Sequence, residues 1–239
     1  IEAQKKYKPN NWDRYDTNWK DATISDNALM YNNNVTLSGG SDKINFFSSL
    51  TNMHQDGLIA NDNYKRTNLT LNADAQLYSW LKIGVESALR FSTLRNPGAG
   101  SPKAIINQAL YMLPTLSAVH ELDGNWGYGK NGLNPTAMAE DSGFSKTKTH
   151  ESVLGGTFTI TPFAGMEING QYSRRQVTSR GRKVIQPYTV SLAGQVMGQY
   201  PNEDRVSESW SESVRNYYKI QASYEKTMRK HYGKLMAGF

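Results

Sequence analysis

The most constraining feature of this sequence is the almost unbroken alternation of apolar and polar side chains in four long stretches. In the stretch 81–91, leucine, isoleucine, valine and phenylalanine occupy odd positions, while Lys82, Glu86 and Arg90 occupy even ones. Neighbouring side chains on a strand point to opposite faces, so this pattern predicts a sheet with one apolar and one polar face. The stretches run to about a dozen residues, beyond the 5–6 typical of globular strands, and a tilted membrane strand needs ~9–11.

The connections between the strands carry a second regularity. We predict eight strands, at about 31–40, 43–53, 64–78, 81–94, 148–161, 165–180, 213–227 and from Tyr232 onward. The connections alternate between short and long, and the longest are the external loops predicted at 95–147 and 181–212. Outer-membrane barrels have short turns at one end and long loops at the other, whereas a β-sandwich has no reason to keep this parity. The sequence therefore predicts an all-β fold, a transmembrane antiparallel β-barrel.

The alternation also assigns side chains to the two surfaces of such a barrel. The predicted lipid-facing residues are Leu69, Leu71, Leu77, Leu81, Ile83, Val85, Leu89, Phe91, Ile168 and Ile220. The predicted lumen-facing residues are Asp74, Gln76, Glu86, Arg90, Gln171 and Lys219. We expect Tyr78 and Trp80, in a short turn, to lie at a membrane interface, where aromatic residues are favoured.

Composition narrows the class of protein. The mean hydropathy is −0.64, and the absence of an apolar run of about 18 residues excludes a transmembrane helix. The chain has no cysteine, so disulfides and thiolate metal ligands are excluded.

The formal net charge is +6, with one basic cluster formed by Arg174, Arg175, Arg180, Arg182 and Lys183. That cluster is either a solvated strand end or a contact with the phosphates of an anionic outer leaflet. Nucleic-acid binding is disfavoured because no binding motif accompanies the charge.

Two segments outside the strands show helix signals. Ser101 and Pro102 are a typical N-cap and first helical position. The predicted helix has an apolar stripe at Ile105, Ile106, Ala109, Leu110 and Leu113 and ends at Pro114. Residues 1–30 are predicted to be a lead-in near the junction of plug and barrel, with a short helix capped by Asp16 or Thr17. Residues 31–239 are predicted to form the N-terminal part of the barrel.

Motifs for catalysis or for cofactor binding are lacking. None of the four histidines is spaced as a metal ligand with another. No nucleophile elbow, Walker loop, dinucleotide fingerprint or zinc-protease motif occurs. We therefore predict that the protein is not an enzyme, has no catalytic residues, and holds neither a metal nor a cofactor.

An ordered set of short motifs resembles a known family. The motifs are NWKD at 18–21, NVTLSGGSDK at 34–43, QDGLI at 55–59, YKRTNL at 64–69 and WLKIG at 80–84, with YEK at 224–226 and MAGF at 236–239. Over residues 18 to about 95 this order resembles the SusC/RagA-type TonB-linked outer-membrane transporters of Bacteroidetes.

The resemblance implies an outer-membrane barrel of about 22 strands filled by an N-terminal plug. It also implies a SusD-like surface lipoprotein as a lid, TonB as the energy donor, and suggests a dimer of transporter–lid pairs. We expect this chain to be an internal fragment of the barrel, with the plug and the TonB box outside this sequence. Lipopolysaccharide is an expected neighbour of the barrel, and no nucleic acid is expected.

These expectations predict active import of a bulky nutrient, with oligosaccharide favoured over oligopeptide. Because sugar rings stack on aromatic side chains, the predicted substrate-binding residues of the external loops are Tyr111, Trp126, Tyr128, Tyr188, Tyr200 and Trp210. Loop packing or contact with the lid protein is an equally good explanation of these aromatics. A passive porin and a soluble lectin-like β-sandwich remain alternative functions.

Overall fold

The structure, a computed structural model, describes residues 15–239, so residues 1–14 of the predicted lead-in lie outside it. Its strands are β1 (Met30–Gly40), β2 (Ile44–Asp56), β3 (Asn63–Tyr78), β4 (Leu81–Pro97), β5 (Trp126–Gly127), β6 (Gly143–Ile160), β7 (Met166–Ile185), β8 (Tyr188–Leu192), β9 (Gln195–Tyr200), β10 (Arg205–Met228) and β11 (His231–Gly238). Eight of them form one sheet in the order β1-β2-β3-β4-β6-β7-β10-β11, in which each neighbouring pair is antiparallel. The predicted antiparallel all-β fold is confirmed.

The predicted parity of the connections is also confirmed. The turns at 41–43, 79–80, 161–165 and 229–230 are short, and the connections at 57–62, 98–142 and 186–204 are the longer ones at the other end of the sheet. The predicted bounds of the two largest loops were too wide, because the strands pair well beyond the apolar alternation. Arg205 already lies opposite Ile185, eight residues before the predicted start of that strand at 213.

The register divides the side chains of the sheet between two faces. Leu50, Leu69 and Leu89 lie opposite one another on β2, β3 and β4, and Ile160 lies opposite both Leu81 and Ile168. This face, which we call the apolar face, contains nine of the ten residues predicted to face lipid, while the tenth, Leu77, lies at an irregularity of the β3–β4 ladder and has no partner there. The six residues predicted to face a lumen all lie on the opposite side, which we call the polar face.

The apolar face has the height of a bilayer core. On β4 it runs from Leu81 to Phe91, which is about 33 Å along the strand, or about 24 Å in height at a tilt of ~45°. Outer-membrane barrels have an apolar band of about 25 Å. On β7 the apolar positions end sooner, since Arg174 follows Tyr172 on the same face.

The long connections, together with the segment that precedes β1, fold into a cap at one end of the sheet. It contains helices α1 (Trp19–Thr23), α2 (Pro102–Tyr111) and α3 (Pro135–Glu140) and a small sheet in the order β5-β8-β9. Its core is formed by Ile59, Ile105, Ala137, Met138, Ala139, Tyr188 and Val190. None of the helices in residues 15–239 has the length and apolar character needed to span a membrane.

Both predicted helices are present, but the capping residue of the first and the buried stripe of the second differ from the prediction. The α1 helix is capped by Asn18, whose Oδ1 accepts from the Asp21 amide at 3.2 Å, so the prediction of Asp16 or Thr17 is wrong. For α2 the predicted cap is confirmed, as Ser101 Oγ accepts from the Ala104 amide at 3.3 Å. Of the predicted apolar stripe, Ile105 and Ala109 are buried and Ile106 packs against the cap core, whereas Leu110 and Leu113 are 52% and 62% exposed, so the buried stripe is narrower than predicted.

Candidate functional site

The polar face carries an ion-pair network that joins three strands. The Glu151 carboxylate on β6 accepts a hydrogen bond from Arg175 Nε of β7 at 2.7 Å and lies 3.2 Å from Arg90 Nη1 of β4. The Glu151 side chain is only 15% exposed, and both arginine side chains are about half exposed. The largely covered carboxylate thus holds two guanidinium groups at the surface, where their remaining donors can bind acceptor groups such as hydroxyls, carbonyls or carboxylates.

The rest of the polar face is built from similar groups. Lys82 and Asp74 form a close ion pair on neighbouring strands near the short-turn end. Thr159 donates to Asn169 Oδ1 at 2.7 Å, and Gln171 lies opposite Lys219. This surface, with both signs of charge and many amides, is suited to a water-soluble ligand or to a polar domain packed against it.

Four of the six aromatics predicted to bind substrate come together in the cap. The Tyr188 ring contacts two other aromatic rings. Its centroid lies 6.5 Å from that of Trp126 and 5.7 Å from that of Tyr200. Tyr188 is 3% exposed, and Tyr128 packs against the same core. Burial is the main cause that raises the pKa of Tyr188, and the electrostatic effect of Tyr200 raises it further. The cluster therefore stabilises the cap, and a role in substrate binding stays a prediction.

The other two predicted aromatics lie apart from this cluster. Tyr111 is the last residue of α2 and is 83% exposed. Trp210 belongs to β10 and not to a loop, because the ladder with β7 extends past it. It lies opposite Arg180, on the continuation of the apolar face, and hence outside the polar face.

One buried asparagine organises the cap. Asn134 is completely buried, and its Oδ1 accepts from the amides of Thr136 and Ala137 as the N-cap of α3. Its Nδ2 donates to the carbonyls of Val119 and Gly127, each at 3.0 Å. Sequence reasoning missed α3, although an asparagine followed by proline at the first helical position is a usable signal.

The junction of the cap with the sheet depends on a serine and a glycine. Ser142 Oγ donates to the Met138 carbonyl at 2.6 Å and accepts from the Ala99 amide at 2.9 Å. Gly143 has φ +87°, and a Cβ there would collide with the Val184 carbonyl. Because glycine tolerates positive φ and close backbone approach, the chain can turn from α3 directly into β6.

Two loop carboxylates have perturbed pKa values. Partial burial raises the pKa of Asp62 in the β2–β3 connection. Hydrogen bonding to Ser191, and further bonds from Asn125, lower the pKa of Asp123. Within residues 15–239, no group of three or more histidines, cysteines or acids is arranged to hold a metal ion.

Replacing Glu151 by glutamine should weaken the three-strand network without changing side-chain size. We expect a loss of about 1 kcal/mol in the free energy of unfolding, a modest value because both arginines are half exposed. A double-mutant cycle with Arg175→Gln, measured by denaturant unfolding, gives the coupling directly. Strict additivity of the two substitutions would show that the ion pair contributes nothing.

The chain is similar in sequence to a known receptor and in fold to solved transporter structures. No protein-family model matches the chain. A TonB-dependent receptor, P3, of Formosa agariphila is 26% identical over 135 residues, which are 53% of this chain and 13% of that receptor. Structures titled RagAB peptide importer in its closed-closed state and RagAB peptide transporter match with TM-scores of 0.73 and 0.71. Their identities are 18% and 19%, and each match covers 94% of this chain and 25% of the other chain.

The sheet therefore has the fold of part of the barrel wall of TonB-dependent transporters, and the resemblance to the SusC/RagA type is confirmed. The chain spans about an eighth of the curated receptor and a quarter of the matched transporter chains. The sheet is open in residues 15–239, with β1 and β11 at its two edges.

Proposed function

We propose that the chain forms part of the wall of an outer-membrane, TonB-dependent importer of a bulky nutrient. The observation that carries the proposal is the exposed apolar face, with Val35 at 69%, Val85 at 57% and Leu71 at 45% exposure. A β-sandwich would bury such a face against a second sheet, whereas a barrel in a membrane presents it to lipid. The opposite face, with its ion pairs and amides, would then line the path of the nutrient or contact the plug.

The cargo class is the finer part of the proposal. We retain oligosaccharide and oligopeptide as the two candidates, and expect no catalytic activity. The prediction that sugar rings stack on the loop aromatics is weakened for Tyr188, because its side chain is buried in the cap. Tyr217 on the polar face, 51% exposed, could serve as a stacking surface for a sugar ring. The paired arginines Arg90 and Arg175 could bind the carboxylate of a peptide.

A protein lid is the second part of the proposal. Leu110, Tyr111 and Leu113 are 52%, 83% and 62% exposed at the end of α2, on the outside of the cap. A contiguous exposed apolar group of this kind is typical of a protein contact. We propose that it meets a SusD-like lipoprotein, as the resemblance implies, with TonB acting through a region outside this sequence.

The function is tested by uptake in cells that produce the full-length protein. Labelled oligosaccharide and oligopeptide pools are supplied separately, with and without a protonophore that removes the energy source of TonB. Import of one pool that stops with the protonophore is expected. Import that continues unchanged would indicate a passive porin, and recovery of the protein without detergent in the soluble fraction would overturn the barrel itself.

A further inference from the structure

A group of cations lies on the same side of the sheet as the apolar face, beyond its end toward the cap. Lys146 and Lys148 of β6 lie directly opposite Arg182 and Arg180 of β7. All four have the same strand parity as Leu154 and Ile168, so they leave the sheet on the apolar side. With strands about 4.8 Å apart and about 6.7 Å between alternate residues, the four side chains start within a patch of roughly 5 by 7 Å.

The acidic side chains next to the patch do not neutralise its four positive charges. Glu208 lies 3.6 Å from Arg182, and Glu212 accepts a hydrogen bond from Gln176 instead. The next cation on this face, Arg95, is engaged by the Phe144 ring at 4.9 Å and by Asn61 Oδ1 at 3.1 Å. Like charges opposite one another on neighbouring strands are destabilising, so an external anion would relieve the repulsion.

The patch also has the right height and shape for a membrane headgroup. Lys148 lies opposite Thr93 and Lys146 opposite Arg95, two and four residues beyond Phe91, the end of the apolar face on β4. On β4 these offsets are about 5–10 Å in height at a tilt of ~45°. On β7 the apolar positions end at Tyr172, and Arg180 and Arg182 lie eight and ten residues further on, about 19–23 Å in height. The patch therefore spans the region from the membrane interface outward, where the phosphates of a large lipid headgroup lie. The four cations line an open groove of about 610 Å³ together with Trp210, and tryptophan is favoured at membrane interfaces.

We infer that Lys146, Lys148, Arg180 and Arg182 form a binding site on the outside of the barrel for the phosphorylated headgroup of lipopolysaccharide. Arginine binds phosphate oxygens through its planar set of donors, and lysine contributes a mobile point charge. Trp210 would lie against the sugar or upper acyl part of the same lipid. The inference rests on the proposed outer-membrane location, and it adds a lipid partner that the import function does not require.

The test compares two double variants of the full-length protein, purified from outer membranes in mild detergent. One, Lys148→Gln with Arg180→Gln, removes half of the patch. The matched control, Lys183→Gln with Arg215→Gln, removes two exposed cations from the polar face. Delipidated protein is titrated with intact lipopolysaccharide and with dephosphorylated lipopolysaccharide, and the lipid retained through purification is counted by native mass spectrometry.

Intact lipopolysaccharide should bind the patch variant roughly 30-fold more weakly than the unsubstituted protein, and the control variant within about twofold. Dephosphorylation should weaken binding to the unsubstituted protein by a similar factor. Equal binding by both double variants, or no effect of dephosphorylation, would overturn the inference while leaving the import proposal intact. An acidic protein that co-purifies with the unsubstituted chain and is lost from the patch variant would also overturn it. Recovery of every variant from the soluble fraction would instead refute the proposed location.

Discussion

Replacing Val85 by arginine is expected to lower the free energy of unfolding of the membrane-inserted protein by about 2–4 kcal/mol. Val85 lies near the middle of the apolar face on β4, opposite Ala73 and Gly156, and it is 57% exposed. At that depth the guanidinium group would have to remain in hydrocarbon or distort the bilayer around it. Urea-induced unfolding from phospholipid bilayers measures the cost, and cells should show less folded protein in the outer membrane.

Two control variants make this result specific to a membrane. Ala88→Arg introduces the same group on the polar face of the same strand, and we expect a change within about 1 kcal/mol. Thr67→Arg introduces it on the apolar side opposite Phe91, at the edge of the band, where the cost should also fall to about 0–1 kcal/mol. A soluble protein that buried this face would not show this dependence on depth, so similar costs at Val85 and Thr67 would contradict the barrel.

Replacing Asn134 by alanine is expected to open the cap while leaving the eight-stranded sheet folded. The substitution removes the N-cap of α3 and leaves the buried carbonyls of Val119 and Gly127 without their donor. Together these losses amount to about 3 kcal/mol. Because the cap has its own core, the loss should appear as local opening, with amide exchange in 98–142 faster by on the order of 100-fold.

The control for this prediction is a second asparagine cap. Asn18→Ala removes the N-cap of α1 at an exposed position, and its effect should stay near 1 kcal/mol or below. Asn134→Asp keeps the capping oxygen but loses both amide donors, so it separates the two roles of Asn134. If Asn134→Ala and Asn18→Ala accelerate exchange equally, the buried carbonyl contacts are not what holds the cap together.

The sheet was predictable because its two governing signals are local. Alternation fixes which face a side chain occupies, and the parity of connection lengths fixes how the strands follow one another. The ends of β7 and β10 were not predictable in this way. Past Arg174 and before Val214 the strands continue through polar and charged residues, where backbone pairing persists without an apolar face to mark it.

The cap was predictable only in part because its contacts join distant segments. Ser101 and Pro102 identify α2 from neighbouring residues alone, and the same reasoning applied to Asn134 and Pro135 would have identified α3. The small sheet pairs Trp126 with Val190, more than sixty residues along the chain, and no local pattern reports such a contact. For the same reason the sequence could not distinguish aromatics packed in the cap, such as Tyr188, from exposed ones such as Tyr111.

The length of β10 has a mechanical consequence. Its 24 residues extend for about 80 Å along the strand, roughly 55 Å in height at a tilt of ~45°, which is well above the ~25 Å of the apolar band. An unbroken hydrogen-bonded ladder joins its upper half to β7. In the importer that we propose, this part of the wall would thus extend beyond the membrane as a rigid sheet and not as flexible loops. A solute would be enclosed by rigid walls well before it reached the level of the bilayer, and force applied at the rim would be transmitted directly to the membrane-embedded wall.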